Sequence, residues 1–137
     1  ALWWKPIHRA RMLVAEREPG SASASFAQIN AGVGRALHEY VLERAKAYRP
    51  QRVIDAYAGS GATAIPLARG GARVVAIETD REAAARCGAL LPEGSAAITG
   101  RVEDALPGAL PADVVLVNPP RTGVHEHVAA TLQSTAG

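Results

Sequence analysis

Short apolar runs alternate along this chain with segments in which apolar side chains recur at helical spacing. The runs that predict strands lie at 53–55, 72–78, 96–98 and 113–117, with a further short one at 12–15. The segments that predict helices lie at 31–48, 62–68, 80–91 and 124–133. Strands that alternate with helices indicate an α/β fold, in which a parallel sheet carries helices on both faces.

Local signals mark the ends of these elements. Asn30 is the expected N-terminal cap of the first helix, and Thr79 or Asp80 is the expected cap of the helix at 80–91. Pro107 and Gly108 predict an irregular turn over 105–111, because both residue types interrupt regular structure.

A glycine turn follows the first predicted strand of the alternating region. The strand ends at Asp55, and Gly59 and Gly61 follow, which permit a tight turn and a close approach of the backbone to a ligand. The next apolar run ends at Glu78, about twenty residues past the turn, where a carboxylate can accept both hydroxyls of a ribose. Strand, turn, helix, strand and terminal acid together indicate half of a nucleotide-binding βαβ unit.

Polar side chains stand at or just past the carboxyl ends of all four predicted strands of the alternating region. Ligands of parallel sheets bind beyond these ends, so the four groups are expected to share one site. They are Asp55, Glu78, Glu103 or Asp104, and Asn118.

Composition narrows the class of protein. The chain has 137 residues, of which 48% are hydrophobic and 20% charged, so it forms one domain at most and has material for a core. No apolar run approaches the length of a membrane span, and the single cysteine, Cys87, excludes an internal disulfide. The cytoplasm is therefore the expected compartment.

Basic residues are concentrated in the N-terminal part. The net charge is only +2, but residues 1–52 hold nine Lys/Arg against four Asp/Glu. If the chain contacts a polyanion, residues 1–52 are the better candidate. The excess of basic residues is by itself more typical of an ordinary solvated surface. Trp3 and Trp4 fit base stacking or, more commonly, the edge of a core.

Three motifs together resemble one enzyme family. They are Phe26-x-Gln28-x-Asn30, the turn Asp55-x-Tyr57-x-Gly59-x-Gly61 with Glu78, and Asn118-Pro119-Pro120-Arg121-x-Gly123. The combination resembles class I S-adenosylmethionine-dependent RNA methyltransferases, specifically the uracil-C5 enzymes that make 5-methyluridine in tRNA or 23S ribosomal RNA. The resemblance implies the Rossmann-like class I methyltransferase fold, here incomplete with about four strands.

The resemblance also implies S-adenosyl-L-methionine as the cofactor and RNA as the substrate. It places the cofactor on Gln28, Asp55, Tyr57, Gly59, Gly61, Glu78 and Asn118, and the substrate on Pro119, Pro120 and Arg121. Some members carry Asn where this chain has Ala62 and Arg101, so the contacts at these two positions stay open. No metal is implied, because His125 and His127 lack further ligands at suitable spacing.

The family's chemistry requires a cysteine thiolate that adds to uracil C6, and a base that then removes the C5 proton. The resemblance places that cysteine on the strand after the Asn118 loop, beyond Gly137. Cys87 lies in a predicted helix among small apolar neighbours, where cysteine commonly packs as a small hydrophobe. We therefore expect no catalytic residue in this chain and no methyl transfer by it alone.

These motifs divide the chain into an N-terminal segment, 1–25, that leads in from a longer protein, and a partial methyltransferase domain, 26–137. A sheet of only four strands would leave the strand at 113–117 with an exposed edge.

Three alternatives remain open from the sequence. Gly59-x-Gly61-x-x-Ala64 with Glu78 also fits an NAD-dependent oxidoreductase. An amino-group methyltransferase uses a similar Asn-Pro-Pro loop, although it usually has an aromatic residue where this chain has Arg121. A non-catalytic RNA-binding fragment is the third.

Overall fold

The computed structural model describes residues 2–7, 10–15, 31–120 and 122–135. The predicted sites at Phe26, Gln28, Asn30 and Arg121 lie outside these ranges.

The described strands form one six-stranded sheet in the order β1-β2-β6-β3-β4-β5. Strand β1 runs antiparallel to β2, and every other neighbouring pair is parallel. The strands are β1 (Leu2–Ile7), β2 (Ala10–Ala15), β3 (Arg52–Ala56), β4 (Arg73–Glu78), β5 (Ala96–Thr99) and β6 (Val114–Val117).

Five helices lie in the described part of the chain. They are α1 (Ala31–Ala47), α2 (Ala64–Arg69), α3 (Arg81–Leu90), α4 (Val102–Ala109) and α5 (Glu126–Thr135). Asp80 caps α3, since its Oδ1 accepts the backbone N–H of Ala83 at 2.8 Å.

Strand β3 is central because its side chains are buried on both faces of the sheet. Val53 packs in a cluster with residues of α1, α2 and α3, whereas Ile54 packs in a second cluster with residues of α4 and α5. Both valine and isoleucine are fully buried, as expected for a parallel strand between two helical layers. The predicted α/β fold, a parallel sheet with helices on both faces, is therefore confirmed, and all four strands of the alternating region are present.

The irregular turn predicted over 105–111 is wrong, because most of this segment belongs to α4. Val102, Leu106 and Ala109 are buried at helical spacing against the second cluster. Glu103 and Asp104 in the first turn favour the positive end of the helix dipole. Burial of this apolar face stabilises the helix by more than the loss of one backbone hydrogen bond at Pro107, which has no N–H, destabilises it.

The expectation that β6 would expose an edge is also wrong. Strand β2 pairs with β6 along Arg11↔Val114 to Val14↔Val117, so β6 has a neighbour on each side. Its backbone groups on that side therefore bond to protein, which removes the aggregation hazard inferred from a four-stranded sheet.

Among the described helices, none combines the length and the apolar character that crossing a membrane requires.

Candidate functional site

A cleft of about 530 Å³ opens at the carboxyl ends of β3, β4 and β6. Four residues predicted from the sequence to contact cofactor or substrate line it, namely Tyr57, Glu78, Asn118 and Pro120. The other lining residues are Thr79, Arg101, Val102, Glu103, Thr122, Gly123, Val124 and His125.

The Glu78 carboxylate accepts two backbone N–H groups and one side-chain hydroxyl at the edge of this cleft. Its Oε2 accepts the N–H of Gly59 at 2.7 Å, and its Oε1 accepts the N–H of Asp80 at 2.9 Å. The hydroxyl of Thr79 donates to Oε1 at 3.2 Å. These bonds hold the carboxylate in one orientation and tie the glycine turn after β3 to the end of β4.

The glycine turn is shaped by backbone angles that side chains rarely adopt. Gly59 has φ +59° and Gly61 has φ +96°. A Cβ on Gly61 would lie 2.7 Å from the Sγ of Cys87 and 2.8 Å from Cδ1 of Ile65, so only glycine fits there. Neither glycine lines the cleft. Gly59 is linked to the cleft through Glu78, which accepts its N–H, whereas the N–H of Gly61 donates to Ala58 O.

Tyr57 lines the cleft from a strained backbone conformation. Its φ of 63° lies in the left-handed region, which is uncommon for aromatic residues and is often found at functional sites. Partial burial raises the pKa of its hydroxyl, and the charge of Glu103 also raises it. A hydrogen bond with the backbone of His125 lowers the pKa. The hydroxyl therefore stays protonated at neutral pH and can donate or accept a hydrogen bond.

Asp55 lies beneath the turn, outside the residues that line the cleft. It is only 3% exposed, and its Oδ2 has no hydrogen-bond partner among the described residues. The pKa of its carboxyl is raised to about 7, mainly by burial. A hydrogen bond with the backbone of Ala64 lowers the pKa, and the charge of Glu78 raises it. Such a group is largely protonated below neutral pH.

Of the two acids that follow β5, Glu103 and not Asp104 lies at the cleft. Glu103 lines the cleft with a side chain only 12% exposed, and it pairs with Arg101 at 2.5 Å. Asp104 is exposed. The pKa of Glu103 is lowered mainly by a hydrogen bond from its own backbone N–H, and also by Arg101 and His125. Desolvation opposes this and raises the pKa. The carboxylate is therefore ionised at neutral pH.

The loop after β6 forms the opposite wall. The N–H of Asn118 reaches Ala56 O at 3.4 Å, which fixes the loop to the end of β3. Gly123, with φ +87°, closes a turn onto Pro120 O at 2.9 Å. Pro119 is half-buried and does not belong to the cleft lining found among the described residues.

His125 lines the cleft, although the sequence suggested no role for it beyond a metal site that was rejected. Its Nδ1 accepts the N–H of His127 at 3.2 Å, and this contact caps the start of α5. In the neutral ring the proton is then on Nε2, which is available as a donor. No local sequence signal distinguishes this position, because its role depends on where the loop after β6 returns to the sheet.

Other missed residues follow strand ends directly. Arg101 and Val102 come just after β5, and Thr79 comes just after β4. The rule that ligands bind beyond the carboxyl ends of parallel strands would have included all three if it had been applied to each neighbour of the predicted acids.

Cys87 is fully buried in α3, where burial raises the pKa of its thiol and Asp55 adds to the rise. We expect a thiol reagent such as Ellman's reagent to label the native chain at least ~100-fold more slowly than the urea-unfolded chain, because labelling requires opening of the fold. A Glu39→Cys variant, with its thiol on the exposed face of α1, is the control and should label fast. Fast labelling of native Cys87 would contradict its role as a core residue.

No protein-family model matches the chain. Among curated proteins, an uncharacterized RNA methyltransferase of Listeria monocytogenes is 31% identical over an alignment that covers 96% of this chain and 30% of the relative. The 23S rRNA (uracil(1939)-C(5))-methyltransferase RlmD of Pseudomonas fluorescens is 43% identical over 53 residues, which cover 39% of this chain and 12% of the relative. The chain thus spans about a third or less of the length of these relatives.

Among solved structures, the tRNA (uracil-54, C5)-methyltransferase of Pyrococcus abyssi in complex with S-adenosyl-L-homocysteine matches 97% of this chain and 32% of its own. The TM-score is 0.59 at 17% identity, so this likeness shows the fold. The sequence relatives and the shared fold agree with the three motifs. In sequence the chain is similar to RNA methyltransferases over most of its length, and it has the class I S-adenosylmethionine-dependent methyltransferase fold.

Proposed function

We propose that this chain is the cofactor-binding portion of an RNA methyltransferase that transfers a methyl group from S-adenosyl-L-methionine to C5 of a uridine in tRNA or 23S rRNA. The observation that carries the proposal is the Glu78 carboxylate, which is oriented by Gly59 and Asp80 at the edge of the cleft. The named uracil-C5 relatives support the substrate class.

The cleft fits an adenosyl ligand in size and chemistry. Its volume of about 530 Å³ lies within the usual range for ligand sites. Oε2 of Glu78 keeps one lone pair for a ribose hydroxyl, and displacement of the Thr79 hydroxyl from Oε1 would free a second. Tyr57 and Asn118 also offer polar groups to the cleft. Gly59 and Gly61 shape the turn, and Asp55 supports it from below. Contacts from Gln28 and Arg121 remain predictions.

The cofactor, when bound, supplies an electrophilic methyl group on a sulfonium. Uracil C5 is a weak nucleophile, and a thiolate that adds to C6 would activate it. Cys87 cannot do this, because it is buried beside the glycine turn and away from the lining of the cleft. The chain by itself is therefore proposed to bind cofactor without methylating RNA.

Pro119 and Pro120 restrict the backbone after β6, and this rigidity would present Asn118 to a flat heterocycle. Arg121 and the basic residues of 1–52 would contact RNA phosphates. An RNA substrate also implies the cytoplasm as the compartment.

Calorimetric titration of the 137-residue chain tests the cofactor. S-adenosylhomocysteine should bind, and NAD should bind at least ~100-fold more weakly, because the proposed contacts of Glu78, Tyr57 and Asn118 serve one nucleoside and none is proposed for the second nucleotide of NAD. Preferential binding of NAD would favour the oxidoreductase alternative. Salt-dependent RNA binding without affinity for either cofactor would favour the non-catalytic fragment.

Tritium release tests the target atom. When a methyl group replaces the hydrogen at uracil C5, RNA labelled with tritium at that carbon must release it to water. The longer protein that contains this chain should release tritium from tRNA or 23S rRNA in the presence of S-adenosylmethionine. Methylation without tritium release would indicate an amino group or another atom as the acceptor.

A further inference from the structure

Asp55 and Glu78 lie on the same face of the sheet, close to each other. Asp55 is paired with Ala76 of β4, and Glu78 is two residues further along that strand. Because side chains alternate along a strand, Glu78 projects from the same face as Ala76. Diagonal neighbours of this kind on adjacent strands are about 7–8 Å apart. Two carboxyl groups therefore flank the glycine turn, one lining the cleft and one buried beneath it.

Few groups in the described part of the chain stabilise a negative charge on Asp55. It is 3% exposed and its Oδ2 has no partner among the described residues, while the backbone of Ala64 is the one group that favours its ionised form. An ionised carboxylate in such surroundings is costly, whereas the neutral acid is tolerated.

Among the described residues, the titratable groups that neighbour Asp55 do not supply a fixed positive charge. Glu78 faces Asp55 from β4, and the Cys87 thiol faces it from α3. From the α1 side, His38 Nε2 donates to Ala62 O at 3.0 Å, and Tyr48 packs against the same apolar cluster. Strand β6 places the apolar Leu116 beside Asp55. None of these described groups places a fixed positive charge beside Asp55, whereas a cationic ligand would supply one.

We propose that Asp55 is a positioning residue that releases its proton to solvent when a cationic ligand enters the cleft, so that binding of S-adenosylmethionine is coupled to ionisation of this buried acid. The inference rests on the proposed function, because that cofactor carries a sulfonium and an ammonium group. An opposite charge within a few ångströms typically lowers a carboxyl pKa by 1–3 units. The ionised form then accepts the backbone N–H of Ala64 more strongly, which fixes the turn that carries Gly59 and Gly61.

The linkage has a definite sign. The carboxyl of the empty chain has a pKa of about 7, so at pH 6 most molecules must lose a proton to bind, and at pH 8 few must. Affinity for S-adenosylmethionine should therefore rise about tenfold between pH 5.5 and pH 7 and level off above that. In this range the ligand's own amino group stays protonated and adds no slope.

Calorimetric titration with S-adenosylmethionine at pH 6.5, in phosphate and in imidazole buffer, measures the protons released. The full chain should release between half and one proton per ligand. Asp55→Asn, which keeps the shape but cannot ionise, should release close to none and bind with an affinity that no longer rises with pH. S-adenosylhomocysteine, which lacks the sulfonium charge, should release fewer protons than S-adenosylmethionine.

Carbon NMR of the Asp55 carboxyl in the unchanged chain gives an answer even if Asp55→Asn fails to fold. The titration midpoint should lie above pH 6 in the empty chain and below pH 5 with S-adenosylmethionine bound. A midpoint near pH 4 in the empty chain overturns the inference. Binding without proton release overturns the inference and leaves the proposed function standing. Failure of S-adenosylmethionine to bind at any pH overturns both.

Discussion

Replacing Glu78 by alanine weakens binding of S-adenosylhomocysteine by about a hundredfold. The carboxylate offers both ribose hydroxyls a charged acceptor, and each such hydrogen bond contributes about 1.5–3 kcal/mol. Two contacts at the lower value give ~3 kcal/mol, which is about two orders of magnitude in the dissociation constant. The substitution also removes the acceptor of the Gly59 N–H, so the turn loses its connection to β4. Calorimetric titration measures the change.

Two variants show whether the loss comes from the carboxylate itself. Glu78→Gln keeps one carbonyl oxygen and should weaken binding by about tenfold, since it retains one acceptor without the charge. Glu93→Ala removes an acid from an exposed turn outside the cleft and should bind as the unchanged chain does. Equal affinity of Glu78→Ala and the unchanged chain would remove the main support for the proposed cofactor site.

The sequence predicts this fold well where the signal is local. Strands β3 to β6 and helices α1, α2, α3 and α5 lie within a few residues of the predicted ranges, because apolar periodicity and glycine or proline boundaries are local features. Helix α4 was missed because it depends on long-range packing rather than on local signals. Pro107 and Gly108 are local interruptions, whereas the burial of Leu106 depends on packing against distant elements.

The pairing of β2 with β6 illustrates the same limit. Residues 12–15 predict a strand, but nothing in them identifies a partner a hundred residues later. The N-terminal strands were therefore left out of the predicted sheet, and the edge of β6 was predicted to be open. Long-range pairing is set by the whole fold rather than by the propensity of either strand.

Positions at strand ends could be placed at the cleft from the sequence, whereas positions in loops could not. Glu78 and Asn118 line the cleft as their positions after β4 and β6 indicated. Gly61 packs closely against Cys87, and the contact of the two glycines with the cofactor stays a prediction. His125 enters the site only because the chain folds back after β6. Such contacts need coordinates, since they join residues with no relation in sequence spacing.

Replacing Gly61 by alanine lowers the free energy of unfolding by ~3 kcal/mol. The new Cβ meets Cys87 Sγ at 2.7 Å and two atoms of the Ile65 side chain at 2.8 and 3.0 Å. Overpacking of this kind in a core typically costs about 1–3 kcal/mol. The φ of +96° adds strain for any residue with a Cβ, on the order of 1 kcal/mol. Urea unfolding followed by circular dichroism measures the sum.

Other glycines of the chain separate the two causes. Gly59 has φ +59° but open space around its ideal Cβ, so Gly59→Ala should cost only the backbone strain, about 1 kcal/mol. Gly34 lies in α1 with open space and no positive φ, so Gly34→Ala should stabilise the chain by up to ~1 kcal/mol. If the clash with the thiol matters, Gly61→Ala combined with Cys87→Ala should be more stable than the sum of the two changes by at least ~0.5 kcal/mol. Equal destabilisation by Gly61→Ala and Gly59→Ala would mean that Cys87 and Ile65 move aside freely. The turn that presents Gly59 to Glu78 would then owe its shape to backbone angles alone, rather than to packing against α3.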